Sequence, residues 1–258
     1  IGRYQEGSEF FIYEADEFDR NFLNFRPHAS MITVIDYDHP DTYHSQEDYD
    51  KAFADFIALS EQTVMWKDDL ARFELDETAN IEVLDDQKYQ HYNFPNSIGL
   101  KLAGAHNRRN ATLVAEYVSK HHNVDLQTCV DHLNEFPGTD RRFEKIKEFL
   151  YSDYAHHPAE IQAVLQMANE LGHDVVVVYQ PHQNIRQHHL KALGEYKGAF
   201  DTADKVYWLP TYMSREDPNL EVLKPEELYG DIEDAEIVES FMNDELKANI
   251  DKHLLQED

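Results

Sequence analysis

The 258-residue sequence has one cysteine, nine glycines, nine prolines, and only 23 basic residues against 51 acidic ones. Cys129 alone cannot form an internal disulfide, so stability must come from packing, and a reducing compartment fits. The scarcity of glycine and proline excludes a collagen-like or low-complexity chain. A net charge of −28 repels polyanions and excludes nucleic acid and anionic membranes as general partners. The longest strongly apolar run, 175–179, is far too short to cross a bilayer, and no signal-peptide pattern opens the chain. A phosphate-bearing substrate would therefore need a few placed cations, helix N-termini or a metal.

What is present is 41% hydrophobic residues, enough for one large core or two modest ones. EFFIYEAD (9–16) reads as a buried strand, and ASMITVID (29–36) as a second, parallel to it. Tyr49, Ala52, Phe53 and Phe56 fall at helical spacing. Between 63 and 86 the pairs Val64/Trp66, Phe73/Leu75 and Ile81/Val83 alternate with polar residues, as short antiparallel strands would. Two helices follow, one with Ala111, Val114, Ala115 and Val118 on a face, the other with Leu126, Cys129, Val130 and Leu133. FPG (136–138) marks a turn and the expected domain boundary, giving domains of 1–136 and 137–258. Beyond it, a strand at 146–152, a helix over 158–171, DVVVVYQ (174–180), a helix to about 200 and DKVYWLP (204–210) predict β-α-β-α-β. That order is an α/β, doubly wound, mostly parallel sheet. The acidic tail after Gly230 reads as helical and solvated.

Parallel strands joined by right-handed crossovers carry their carboxyl ends to one edge, where open α/β sheets bind ligands. DYAHHPAEI (153–161) follows one predicted strand and QPHQNIR (180–186) the next. Asp153, Tyr154, His156 and His157 should therefore face His182 and Arg186, with Pro158 opening a helix whose free N–H groups attract an anion. The histidine pairs 121–122 and 188–189 are expected to be surface or hydrogen-bonding residues. A zinc site at 156/157 matches no specific ligand spacing. In the first half, Glu14 and His39 would share a strand edge and could hold a divalent ion; the plainer reading is a solvated acidic turn. Asn107 and Asn110 present amides from one helix start, or simply cap it.

Taken in order, EADEFDRNFL, DYDHPDTY, GAHNRRNA, FPGTDRRFE, DYAHHPAEI and QPHQNIR resemble the Mur ligases over roughly residues 8–217. Within that family the likeness is to the branch joining L-alanine to UDP-N-acetylmuramate. The resemblance implies the later part of a central ATPase domain followed by a Rossmann-like amino-acid domain. ATP and Mg²⁺ are the implied cofactors, the two compounds just named the implied substrates, and the bacterial cytoplasm the implied location. It implies Glu14 and His39 as Mg²⁺ ligands, and His106, Asn107, Asn110, Arg141 and Arg142 on the nucleotide. Asp153, Tyr154, His156, His182 and Arg186 would line the pocket for the amino acid and the reacting centre. An acyl phosphate formed from ATP would then be attacked by the amine.

The family's glycine-rich phosphate loop has no counterpart in these residues, so the chain alone is expected to be inactive. Val34 and Phe18 stand where the family usually has asparagine and serine. Gln183 stands where an arginine usually follows the histidine, which leaves the identity of the amino acid open. Three alternatives remain: a murein peptide ligase, a non-catalytic remnant that binds a partner, and a histidine-metal hydrolase built on DYAHHP.

Overall fold

A computed structural model of the chain describes residues 6–7, 9–73, 80–93, 99–214, 216–230, 232 and 235–254. The chain divides into two compact units, Ile1–Val83 and Leu84–Asp258, each described by itself. The FPG turn at 136–138 lies inside the second unit.

In the first unit a 3-10 helix (Phe18–Asn24) precedes β1 (Ala29–Ile32), α1 (Gln46–Leu59), β2 (Gln62–Trp66), the short α2 (Lys67–Leu70) and β3 (Ile81–Leu84). The sheet order is β1-β2-β3, and β1 pairs with β2 in parallel, Ala29 opposite Gln62. Ser45 caps α1 by accepting from Asp48 N. The buried face of α1 then packs Tyr49, Phe53 and Phe56 against Phe22 and Tyr43.

Two sequence expectations fail in this unit. EFFIYEAD is no strand: its backbone makes no ladder, and Phe11 and Ile12 are 83% and 90% exposed. An apolar run becomes a strand only where a neighbour accepts its hydrogen bonds, and none of the described strands does so. β2 is also parallel to β1 rather than part of an antiparallel meander. Thr63, Val64, Met65 and Trp66 are all buried, so both faces are covered and the apparent alternation was incidental. Leu75 lies outside the described residues.

The second unit continues with α3 (Asp86–Asn93), α4 (Ala105–His122), α5 (Leu126–Asn134), β4 (Glu144–Lys147), β5 (Leu150–Ser152), α6 (Pro158–Asn169), β6 (Val176–Tyr179), α7 (Asn184–Leu193), β7 (Lys205–Trp208), α8 (Pro225–Tyr229), β8 (Glu236–Glu239) and α9 (Asp244–Leu254). β6, β7 and β8 form a parallel sheet in that order, Tyr179 opposite Trp208 and Trp208 opposite Glu239. Side chains alternate across it. Val177, Tyr179, Val206 and Trp208 join a core with Ile161, Leu165, Leu190 and Phe200. Val176, Tyr207 and Val238 face Leu246 and Ile250 of α9 on the other side.

Two corrections belong here as well. The predicted strand at 146–152 is a separate antiparallel hairpin of β4 and β5, with an irregularity between Lys145 and Lys147. The tail after Gly230 supplies β8 before its helix. Ile237 and Val238 reach the two faces of the sheet, and a four-residue strand among acids leaves too short a pattern to see in sequence. The predominantly parallel α/β class stands.

Phe200 is fully buried at the centre of the second unit's core and stacks edge-on against Tyr179, ring centroids 5.3 Å apart. Phe200→Ala should destabilise this unit by about 3–5 kcal/mol. Urea denaturation should show the midpoint fall with the slope unchanged.

Candidate active site

β5 runs directly into the turn 153–157, and this turn is held at both ends. One Asp153 carboxylate oxygen accepts from Phe143 N and the other from Ala155 N, both at 2.7 Å, tying the turn to the foot of the β4–β5 hairpin. The adjacent histidines then part company. His157 is the N-cap of α6: its Nδ1 accepts from Ala159 N, and Glu160 reaches back to His157 N at 3.2 Å, a capping box with Pro158 in the first turn. Glu160 also accepts from His156 N at 3.0 Å. The amides at this helix start are thus engaged from within, those of His156 and His157 by Glu160 and that of Ala159 by the His157 ring.

His156 is left as the chemical member of the pair. Its Nδ1 lies 2.9 Å from Tyr154 O, so the tautomer with Nδ1–H turns Nε2 into the acceptor. Its ring meets the ring of Tyr154 at 5.2 Å and that of His182 at 5.5 Å, both edge-on. His182 in turn stacks on Tyr212 at 5.5 Å, and the backbones of these two residues form a parallel bridge. Tyr154, His156, His182 and Tyr212 therefore make one aromatic row along the carboxyl ends of β6 and β7. The two turns face one another as the topology argument requires, although the strand before the first belongs to the hairpin rather than to the main sheet.

Cations gather at one end of this row. Arg141 and Arg142, on the tight turn closed by the Thr139–Arg142 bridge, place their guanidinium carbons 5.4 and 5.8 Å from the Tyr154 ring. Arg142 also lies 3.7 Å from Glu160. Arg186, one turn into α7, is buried, and its charge acts on the phenols of Tyr179 and Tyr196. The first amides of α7 are occupied by Glu216, which accepts from Asn184 N at 2.9 Å and Ile185 N at 3.2 Å. Gln183, between His182 and α7, is buried at a φ of 62°, a region non-glycine residues rarely occupy. Its Nε2 has no hydrogen-bond partner among the described residues. Such a combination is destabilising in the free protein and characteristic of ligand-binding turns.

The start of α4 is clasped to α6. Gly104 N and Ala105 N donate to Glu170 and Gln166 at 3.0 and 2.8 Å, and Arg108 makes a forked pair with the Glu170 carboxylate at 2.7 and 3.0 Å. A side chain at position 104 would collide with Met167 Sδ at 2.7 Å and with the His106 ring, and φ there is +83°. His106 has a buried Nδ1 without a hydrogen-bond partner among the described residues. Burial pulls its pKa below the usual imidazole value despite the opposing charge of Asp153, so the ring is neutral near pH 7. The Asn107 amide is turned inward, donating to Ala103 O at 2.9 Å and lying 3.4 Å from Met167 Sδ. Asn107 thus donates to the backbone just before the helix and caps none of its free N–H groups; Asn110, one turn on, is half-buried.

The expected pairing of Glu14 with His39 is not found in the first unit. With no strand at 9–16, Glu14 is exposed, and the carboxylates beside His39 Nε2 are those of Glu17 at 3.3 Å and Asp38 at 3.7 Å. Among the described residues no group of three or more His, Cys, Asp or Glu could hold a metal. Glu14 and His39 are therefore not brought together by a strand edge, and DYAHHP belongs to no such group. Tyr212, Glu160 and Glu216 were not picked out from sequence. Tyr212 could have been, since it follows the strand at 204–210 and the same edge rule applies to it. The other two were hidden because a capping acid is recognised only once the helix start is known.

The Glu170 carboxyl is held down to about 2 from an ordinary 4.5, first by Arg108, then by Gln166 and the Gly104 amide. Because the folded value is the lower one, this clasp is fully present above the ordinary value and is lost as pH falls from 4.5 towards 2. Glu170→Gln should cost about 1–3 kcal/mol at pH 7 and flatten the acid limb of a stability–pH curve, with little effect below pH 2.

Comparison with known proteins places these elements. Residues 141–256 match the family model described as "Mur ligase, glutamate ligase domain". The chain is 31% identical over 267 residues to a UDP-N-acetylmuramate–L-alanine ligase of Lactobacillus helveticus, covering 92% of this chain and 60% of the relative. It is 32% identical over 238 residues to the enzyme of that name from Lactococcus lactis subsp. lactis, covering 83% and 53%. The crystal structure of a UDP-N-acetylmuramate–alanine ligase from Thermotoga maritima shares the fold, with a TM-score of 0.60 at 23% identity over 88% of this chain and 55% of that one. The chain thus spans between about half and three-fifths of the length of these relatives.

Proposed function

We propose that this chain, a relative of the Mur ligases whose residues 141–256 match the model described as "Mur ligase, glutamate ligase domain", is part of an ATP-dependent ligase joining L-alanine to UDP-N-acetylmuramate in peptidoglycan synthesis. The observation that carries the reading is the row of Tyr154, His156 and His182 on one rim, with Arg141 and Arg142 at its head. On a chain of net charge −28, three arginines on neighbouring turns create a local exception that can hold carboxylate or phosphate oxygens.

In this reading the muramate carboxylate attacks the γ-phosphate of ATP, giving an acyl phosphate and ADP. The L-alanine amine then attacks the acyl carbon, loses a proton and expels inorganic phosphate. The chain's part is to hold the amino acid with its amine free and neutral. His156 and His182 offer imidazole nitrogens to take that proton, and Arg186 offers a buried charge for the amino-acid carboxylate. Preorganised donors at a site where anionic oxygens crowd supply most of the rate enhancement in such transfers.

ATP and Mg²⁺ enter through the family. In the corresponding assignment His106, Asn107, Asn110, Arg141 and Arg142 attend the nucleotide, and Glu14 and His39 the metal, with domains of 1–136 and 137–258. A neutral His106 suits a nucleobase better than a phosphate. Gln183 keeps the choice of amino acid as the least constrained part of the reading, because a neutral amide replaces a fixed charge beside His182.

The test is ADP release by the full-length natural protein with ATP, Mg²⁺, UDP-N-acetylmuramate and a panel of amino acids. Release should depend on the amino acid, with L-alanine preferred, and His182→Ala should slow it by about 100-fold or more. ADP release that ignores the amino acid, or zinc-dependent hydrolysis in its place, would contradict the assignment.

A further inference from the structure

Beneath the histidine row runs a line of buried side-chain hydrogen bonds that takes no direct part in the proposed chemistry. Tyr179 OH donates to His156 O at 3.2 Å and lies 2.9 Å from Tyr196 OH. Tyr196 OH donates to Gln187 Oε1, and Gln187 Nε2 donates to His182 O at 2.9 Å. The line therefore leads from the backbone carbonyl of one histidine turn to that of the other. All three side chains are buried, and phenylalanine would fill the two aromatic positions equally well if packing were their only role. Hydroxyls and amides in a core are costly unless paired.

Counting protons shows why this line couples its ends. Each phenol has one O–H, so two protons serve three contacts: His156 O, the Tyr179–Tyr196 contact and Gln187 Oε1. When Tyr179 turns its proton to Tyr196, His156 O loses its donor. When Tyr196 turns to Tyr179, Gln187 Oε1 loses its own. Burial raises both phenols well above their ordinary value, with Arg186 only partly opposing it, so neither gives up its proton near neutral pH.

We propose that Tyr179, Tyr196 and Gln187 are positioning residues that couple the two histidine turns, so that the setting of His156 on binding is transmitted to His182. This rests on the reading of the rim as the amino-acid site, beneath which all three side chains are buried.

Imidazole signals of His156 and His182 can be followed by NMR in this chain and in Y179F, Y196F and the double variant, with L-alanine titrated into each. Tyr196 has no bond to His156, yet Y196F should move the His156 signals and Y179F those of His182. The double variant should move both by less than the sum, and L-alanine should bind about fivefold more weakly to Y196F. If each substitution moves only the ring beside it and the effects add, the coupling is refuted. Should Y196F fail to fold, Q187M tests the same link: it must move His156, and a response confined to His182 refutes the proposal. Absence of alanine binding to the unaltered chain, with both rings still responding to Y196F, would count against the ligase reading and leave the coupling intact.

Discussion

His156 and His182 meet ring to ring, 5.5 Å between centroids, and the turns before α6 and α7 are arranged around that contact. It exists because β6 and β7 run parallel and end on one edge, while the β4–β5 hairpin delivers the other turn beside them. Neither histidine could be placed by its own segment alone. Asp153 clamps one turn to the hairpin, the His182–Tyr212 bridge fixes the other to the end of β7, and the buried tyrosine line joins the two from below.

Carboxylates do much of the fixing, which gives the extreme acidity of the chain a local meaning. Glu160, Glu216 and Glu170 occupy the amides at the starts of α6, α7 and α4. Acids placed there satisfy backbone donors and the helix dipole at once. With these amides engaged, the cations left on this rim for the proposed anion recognition are Arg141, Arg142 and Arg186.

Much of the second unit could be read in the sequence, and the reasons are visible in particular residues. The run of valines ending in Tyr179 and the Ile161–Leu165 face have strong periodicity, so β6 and α6 were legible. QPH was placed correctly because β6 and β7 are parallel, whereas DYAHHP reaches the same rim from the antiparallel hairpin, by a route the parallel-strand rule did not contain. The hairpin was illegible: Phe149, at φ 58°, makes its turn without a glycine to signal it. His156 and His157 look alike in sequence, and only the capping box with Glu160 separates them, making His157 a helix cap and leaving His156 beside His182. EFFIYEAD misled because hydrophobicity marks what can be buried, whereas a strand also needs a neighbour's hydrogen bonds. The Glu14–His39 pairing fell with it.

The most direct test of this account is a distance between the two turns in solution. With histidine ring protons selectively labelled in the intact chain, cross-relaxation between the rings of His156 and His182 should be observed, together with cross-relaxation from His182 to Tyr212. Their absence, with both rings otherwise well resolved, would mean the turns do not share one rim, and the proposed pocket would have no physical basis.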